Sequence, residues 1–562
     1  MRPLSIDTLT HKALRFGQLC MDRGTLYWTE SRPDEKGRSV LMTLEGEVLP
    51  KTTNIKSRVH EYGGGSYLVS DGNIIFTNDT DQRVYFNDQP ITTKEQGRFA
   101  DFCFDAKRAC IYAVRELEDT NTLARIGLDG TVIDIATGAD FYAEPRLSPD
   151  GSCIVWISWN HPNMPWDNTT LTQWDFSSPP KILAENASIQ HPMWTLNNTL
   201  HYLTDQSGTW NFPSYPLPAD LGYPPWLLNM KRYCFHQDKI AAIATTDATD
   251  TLYLIDLKDK THTEIETPFT SFNEIVSDGI NLYTIASGPH NLPTLVSILP
   301  QTQIKTIRKS SDINLKKPSE PISINFGSAH MFFYPPSNKL YDLPPLIVSP
   351  HSGPTAHYAP TLNLTVEYWT SRGFAFAAVN YAGSSGFGKA YRNRLNGQWG
   401  ILDAADCINA RQYLKDQQLI DPTKCAIIGS SAGGFTALAT ITQTDAFAAA
   451  ISLYGICDVK ALCTCTHKFE SHYNNTLIGT YSHSPIHHVD KIRTPVLLIH
   501  GSEDKIVPPS QSEAFYSALK ARHIPCEYKL IEGEGHGFRS ADAIKTSFLT
   551  QESYLKSVLE LK

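Results

Sequence analysis

No stretch of this 562-residue chain approaches the roughly 20 consecutive apolar residues that cross a bilayer. The N-terminus, Met1-Arg2-Pro3-Leu4-Ser5-Ile6-Asp7, also lacks an apolar run of signal-peptide length. No membrane partner is expected, and the expected location is the cytoplasm. A basic surface is missing as well. Against 49 Lys+Arg stand 58 Asp+Glu, giving a net charge of -9 and no sizeable Lys/Arg cluster to offset it. That balance argues against a nucleic-acid partner, because neutralising phosphates needs concentrated positive charge. Cysteine is present, but the 11 residues are odd in number and scattered, which fits a reduced compartment better than a disulfide framework. Cys463-Thr464-Cys465-Thr466-His467 sets two thiols and an imidazole close together, yet a zinc site needs a fourth ligand and usually wider cysteine spacing. His60-Glu61 has no second histidine one helical turn later, and Gly63-Gly64-Gly65 would spoil a helix. No metal and no organic cofactor are expected.

What is present divides into two patterns, and the length is too great for one core. Up to about residue 318 a degenerate repeat recurs, in which a turn with Asp or Asn leads into a short β-rich run. The copies start at Met21-Asp22-Arg23-Gly24, Ser70-Asp71-Gly72-Asn73, Phe104-Asp105-Ala106-Lys107, Ser148-Pro149-Asp150-Gly151, Leu196-Asn197-Asn198, Gln237-Asp238 and Ser277-Asp278-Gly279. The period of roughly 35 to 50 residues suits four short strands per propeller blade. Seven copies imply a seven-bladed β-propeller. The polar stretch Lys309 to Pro318 reads as a linker. After it, apolar runs alternate with helical ones such as Leu402 to Leu414, the signature of a mostly parallel sheet covered by helices. The expected fold is therefore a two-domain one: an all-β propeller over 1–318 followed by an α/β-hydrolase domain over 319–562.

The chemistry gathers in the second part. Ile427-Ile428-Gly429-Ser430-Ser431-Ala432-Gly433-Gly434-Phe435 is an apolar strand running into Gly-x-Ser-x-Gly and then a helix. Glycines on both sides permit the sharp turn that holds a serine hydroxyl clear of its neighbours, making Ser431 the candidate nucleophile. A serine needs a base, and the base needs an acid to orient it. Thr494 to Gly501 reads as a buried strand, followed by Ser502-Glu503-Asp504. Asp504 is the expected acid, with Glu503 its nearest rival. His536, in the glycine-flanked loop Gly533 to Phe538, is the expected base. The order Ser, Asp, His, each at a strand's C-terminal end, is that of α/β-hydrolases. For the oxyanion, the N–H groups of Ala432 and of Gly353, in the loop Pro350-His351-Ser352-Gly353-Pro354, are the expected donors.

These residues carry a family resemblance. His351 to Pro354, Asn380-Tyr381-Ala382-Gly383-Ser384-Ser385-Gly386-Phe387-Gly388, Trp399-Gly400 with Asp403 and Asp406, the serine turn, His500-Gly501 to Val507-Pro508, and Gly535-His536-Gly537-Phe538 run in one order across the last part of the chain. This part resembles the prolyl oligopeptidase family of serine peptidases, most closely its acylaminoacyl peptidase and dipeptidyl aminopeptidase branch. Ser352 departs from the usual His-Gly-Gly-Pro, and Ile506 stands where many acylaminoacyl peptidases carry a peptide-holding arginine. Three propeller stretches, Arg58 to Gly65, Trp159 to Asp167 and Thr204 to Asn211, also resemble that branch. The resemblance implies a seven-bladed propeller, an N-terminal segment packed on the hydrolase, and a filter that admits short or unfolded peptides.

Substrate-pocket candidates carry two readings each. Tyr454 and Phe469 lie where relatives build the pocket for the residue before the scissile bond, or they are plain core. Glu470 pairs with a free substrate amine, or is an exposed carboxylate on a helix. Arg58 or Glu61 touches the substrate's amino end, or both belong to a tight turn that closes a blade or faces the hydrolase. The leading expectation is a serine peptidase acting on short peptides, as an acylaminoacyl peptidase, a dipeptidyl aminopeptidase or a related oligopeptidase. A carboxylesterase using the same triad is the alternative, and a propeller scaffold with a dead hydrolase the third.

Overall fold

A computed structural model describes residues 3–10, 13–300, 303–464 and 466–561. The chain forms two compact units. One comprises Lys12–Asp312 with Gly386–Lys389, the other Met1–His11, Ile313–Ser385 and Ala390–Lys562.

The first unit is a propeller of antiparallel sheets. The sheet Arg15–Asp22, Thr25–Arg32, Arg38–Thr43, Gly46–Glu47 is typical, with strands in sequence order from the inside outward. Each sheet buries alternating apolar side chains against the next. Trp28, Val40, Ile285 and Leu295 share one such cluster, and Ile75, Phe99, Ile111 and Ala124 another. Adjacent inner strands are stapled where bulges free backbone N–H groups from the ladder. The Glu274 carboxylate accepts from the N–H groups of Gln18 and Leu19, at 2.7 and 2.8 Å, and so joins the last sheet to the first. Asp101 likewise accepts from Glu144 N–H at 2.7 Å, and Glu144 from His191 N–H at 2.6 Å.

The expected seven blades are corrected to six. Among the described residues six sheets have four strands, while Ile189–Trp194 pairs only with Leu200–Thr204. That two-stranded sheet is the Leu196-Asn197-Asn198 copy of the repeat. Beyond it stand Pro213, Pro216, Pro218, Pro224 and Pro225, which have no N–H to give a ladder, and only isolated bridges such as Thr204↔Asn211 and Phe212↔Tyr215 form. A turn motif marks one hairpin; it does not reveal whether outer strands follow.

The second unit is built on an eight-stranded sheet. Its strands are β1 (Ile322–Phe326), β2 (Ala329–Tyr334), β3 (Leu346–Pro350), β4 (Ala375–Asn380), β5 (Cys425–Ser430), β6 (Ala449–Leu453), β7 (Val496–Gly501) and β8 (Cys526–Ile531). The order is β1-β2-β4-β3-β5-β6-β7-β8, antiparallel for β1-β2-β4 and parallel from β4 to β8. This is the α/β-hydrolase sheet. Every residue of β3, β4 and β7 is buried, as expected for parallel strands covered on both faces. The helices α1 (Leu402–Asp416), α2 (Ala432–Ile441), α3 (Ser510–Ala521) and α4 (Ala541–Val558) flank it. Behind β5, Asp403 of α1 accepts from Thr436 Oγ1 of α2 and from Gly400 N–H, both at 2.6 Å. The short helix Ile6–Leu9 belongs to this unit, where Leu4 N–H bonds to Ser371 Oγ at 2.9 Å. No helix among the described residues is long and apolar enough to cross a membrane.

Candidate active site

Ser431 sits between β5 and α2 with φ 53° and ψ -121°, outside the conformations an L-residue adopts cheaply. The neighbouring glycines make this turn possible. A Cβ on Gly429 would lie 1.9 Å from Gly433 O, and one on Gly434 would lie 2.7 Å from Gly455 Cα. Ser431 N–H bonds to Leu453 O at 3.0 Å, so the end of β6 braces the turn.

The expected base and acid meet this hydroxyl in one line. His536 Nε2 is 2.9 Å from Ser431 Oγ, and His536 Nδ1 is 2.7 Å from Asp504 Oδ2. With a carboxylate on Nδ1 the ring carries its proton there, leaving Nε2 to accept from the serine. Asp504 is buried and strongly held. Its Oδ1 accepts from the N–H groups of Ile506 and Val507 at 3.0 and 2.9 Å. Burial pushes its carboxyl up, but the hydrogen bonds from His500 and His536 outweigh that and hold it far below the usual carboxylate range. Glu503, the rival acid, exposes its side chain and uses its N–H on Glu534 O at 2.8 Å.

The sequence pattern assigns His500 no role of its own. It is fully buried, bonds through Nδ1 to Ser512 Oγ at 2.7 Å and through Nε2 to Val507 O at 2.8 Å, and stands 3.4 Å from Asp504 Oδ2. It thus ties the acid's loop to α3. The spacing of four residues from Asp504 was visible, but only the turn after β7 makes those two side chains meet.

The loop after β3 carries Gly353 at φ 65°, a left-handed conformation that glycine adopts without strain. His351 fixes this loop from inside. Its Nδ1 is 3.2 Å from the carbonyl oxygens of both Ser352 and Gly353, and its ring stacks on Tyr381 at 4.2 Å. Burial lowers the His351 pKa to about 3, so the ring stays neutral with its proton on Nδ1. Ser352, where the family pattern has glycine, ties the loop to the serine turn: its hydroxyl donates to Ser430 O at 3.0 Å and pairs with Ser430 Oγ at 2.6 Å. The approach is close, since a Cβ on Gly433 would lie 2.5 Å from Pro350 O. Ala432 opens α2, where first-turn N–H groups have no partner within the helix.

Tyr454 stands beside the triad, with its ring edge-on to His536 at 5.0 Å and to Phe538 at 5.3 Å. Burial raises its hydroxyl pKa, and a hydrogen bond to Ser430 works against that. Phe469 is buried. The reading of Glu470 as an exposed helical carboxylate is corrected. It lies on the 3-10 turn Lys468–Glu470 with its side chain 13% exposed, 3.2 Å from His467 Nε2. Arg58 and Glu61 belong to the propeller unit, in a turn closed by Glu61 N–H on Arg58 O at 2.9 Å. Arg58 pairs with Asp79 at 2.9 Å and Glu61 with Arg98 at 2.7 Å. Of the thiol–imidazole cluster, Cys465 lies outside the described residues; among those described, no three His, Cys, Asp or Glu side chains group to hold a metal.

A mostly parallel sheet with a strained serine turn and a Ser–His–Asp line, joined to a propeller, defines a two-domain serine hydrolase. Comparison with known proteins narrows the class. Residues 360–562 match the model of the prolyl oligopeptidase family. The structure of a puromycin-hydrolyzing peptidase of Mycobacterium tuberculosis superposes with a TM-score of 0.93 at 32% identity, over 98% of this chain and 95% of that one. Dipeptidyl aminopeptidase BIII of Pseudoxanthomonas mexicana is 29% identical over 38% of this chain and 33% of its own length. The acylamino-acid-releasing enzyme of Rattus norvegicus is 30% identical over 38% and 31%. The matches thus span about a third of the length of these curated relatives. The chain belongs to the prolyl oligopeptidase family.

Proposed function

We propose that the chain is a serine peptidase that hydrolyses amide bonds in short peptides and aminoacyl amides through an acyl-enzyme on Ser431. The observation that carries this reading is the unbroken line from Asp504 through His536 to Ser431, at 2.7 and 2.9 Å. His536 Nε2 takes the hydroxyl proton as Oγ attacks the substrate carbonyl. The N–H groups of Gly353 and Ala432 receive the oxyanion. As the C–N bond breaks, His536 returns the proton to the leaving amine. Water then enters, gives a proton to His536 and attacks the ester; collapse releases the acid and reprotonates Ser431. Asp504 stays ionised throughout and stabilises the charged imidazole.

Tyr454 and Phe469 are assigned to the wall that meets the side chain before the scissile bond, and Glu470 to the free amine of a substrate that has one. The similarity to a puromycin-hydrolyzing peptidase supports this pairing, because puromycin is an aminoacyl amide with a free amine and an aromatic side chain. Arg58 and Glu61 are assigned to the amino end of longer peptides. The site of action is taken to be the cytoplasm, on the odd number of scattered cysteines.

The test is the rate of hydrolysis of puromycin and of three nitroanilides, N-acetyl-alanyl, free alanyl-alanyl and blocked glycyl-prolyl. Preference for free-amine substrates supports an aminopeptidase mode, and preference for the acetylated one an acylaminoacyl peptidase. If no amide is cut while a nitrophenyl ester is, a carboxylesterase replaces the proposal.

A further inference from the structure

Within the propeller unit a cavity of about 230 Å³ is bordered by the inner strands Arg98–Asp105, Phe141–Leu147, Ile189–Trp194 and Tyr233–His236. A cavity of roughly 150 Å³ is enough to hold benzene, so this one has space for a molecule of amino-acid size. Arg146, Lys231 and the Asn229 side chain bring hydrogen-bond donors to its wall, and no Asp or Glu lines it. Met193, Trp194 and Met230 give it an apolar side.

The acids Asp101, Glu144 and Glu274 are not among the residues that line the cavity, and they are already engaged. Asp101 is fully buried and holds both Arg146, at 2.9 Å, and Glu144 N–H. Glu274 accepts two backbone N–H groups, and Glu144 holds the ring and the N–H of His191. The donors in front have capacity left over. Arg146 uses one terminal nitrogen on Asp101 and Pro145 O and the other on Asn229 Oδ1, which leaves its Nε–H unused. The Lys231 ammonium acts on the Glu274 carboxylate through space, and among the described residues it has no hydrogen bond within contact distance, so its N–H groups are open to a ligand.

We propose that this cavity binds a small carboxylate bearing an apolar group, the chemistry of a peptide's C-terminal residue. The carboxylate lies between Lys231 and the Arg146–Asn229 pair, and the apolar group covers Met193, Trp194 and Met230. A bare phosphate would satisfy the donors and leave that apolar wall with nothing against it. No triad residue lines the cavity, and the proposal does not depend on the reaction assigned at Ser431.

The experiment is calorimetric titration of the full chain with N-acetyl-L-phenylalanine, before and after treatment with phenylmethanesulfonyl fluoride to block the Ser431 hydroxyl. Binding is expected to survive the treatment, to weaken by at least about tenfold for N-acetyl-L-phenylalanine amide, and to weaken about ten- to hundredfold in Lys231→Met, the effect of losing one charge-assisted hydrogen bond. Lys231→Arg keeps a donor and should bind within a few-fold of the parent. The amide binding as tightly as the acid, inorganic phosphate binding more tightly than the acid, Lys231→Met binding normally, or binding vanishing after sulfonylation each overturns the proposal. So does the absence of heat at millimolar ligand.

Discussion

Replacing Ser352 by glycine restores the family's usual oxyanion loop and removes the tie to Ser430. The lost contacts are a donated bond to Ser430 O at 3.0 Å and the hydroxyl pair at 2.6 Å. A neutral hydrogen bond contributes about 0.5–1.5 kcal/mol net, and because Ser352 is exposed, so that water replaces much of what is lost, the two contacts together are taken at that range. Glycine's added backbone freedom costs a further ~0.5–1 kcal/mol. The sum, about 1–2.5 kcal/mol, is a loss of about 5- to 70-fold in kcat/KM, below the ~2.7–4 kcal/mol for deleting a whole oxyanion donor. Ser352→Ala keeps the backbone restrained and should lose only about 2- to 13-fold. The assay is steady-state kinetics on the best nitroanilide, together with the affinity of a boronic acid that mimics the tetrahedral intermediate. The losses should fall on kcat and on boronate affinity while KM holds, because the proposed role of Gly353 is on the charge that develops in the transition state. A raised KM with unchanged kcat, or a lowered melting temperature with neither kinetic change, refutes the reasoning.

Gly433→Ala puts a Cβ 2.5 Å from Pro350 O and 3.0 Å from His351 O, so the loop bearing Gly353 must move; turnover should fall by about 10²–10³, the range for a lost oxyanion donor, with circular dichroism unchanged. His500→Asn loosens the loop that presents Asp504, and kcat should drop about tenfold at constant KM; an unchanged kcat removes His500 from the account. Glu367 is raised by burial from an ordinary 4.5 to about 7, so between those values the folded chain keeps a proton that the unfolded chain releases. Its contribution therefore falls as pH rises from about 4.5 to 7, and Glu367→Gln should flatten the loss of melting temperature across that window; an identical slope in both proteins counts against it. If the family's size filter operates here, a decapeptide is cut while the same segment inside a folded protein is spared, and equal cleavage of both removes the filter.

The parts of this molecule legible in the sequence are those set by local sterics. Gly429, Gly433 and Gly434 flag the serine turn because no side chain fits there, and a strand pattern before Asp504 and a glycine-flanked loop around His536 follow in order. The parts that were not legible depend on which distant segments meet. Ser352 and Ser430 lie 78 positions apart, and nothing local marks them as partners. The carboxylates Asp101, Glu144 and Glu274 look like surface residues until the bulges of the inner strands turn them onto neighbouring N–H groups. The blade count failed for a related reason. Outer strands such as Thr261–Ile265 are mostly exposed and carry a weak pattern, so their absence after Leu200–Thr204 left no trace except the prolines.

The central claim is that Ser431, activated by His536 and Asp504, forms the acyl-enzyme. Its most direct measurement is the turnover of Ser431→Ala beside the parent on the best amide substrate, with circular dichroism to show that both are folded. The account predicts a fall on the order of 10⁶ in kcat, as for loss of the nucleophile in a comparable triad. A folded Ser431→Ala protein that keeps the parent's turnover would contradict it.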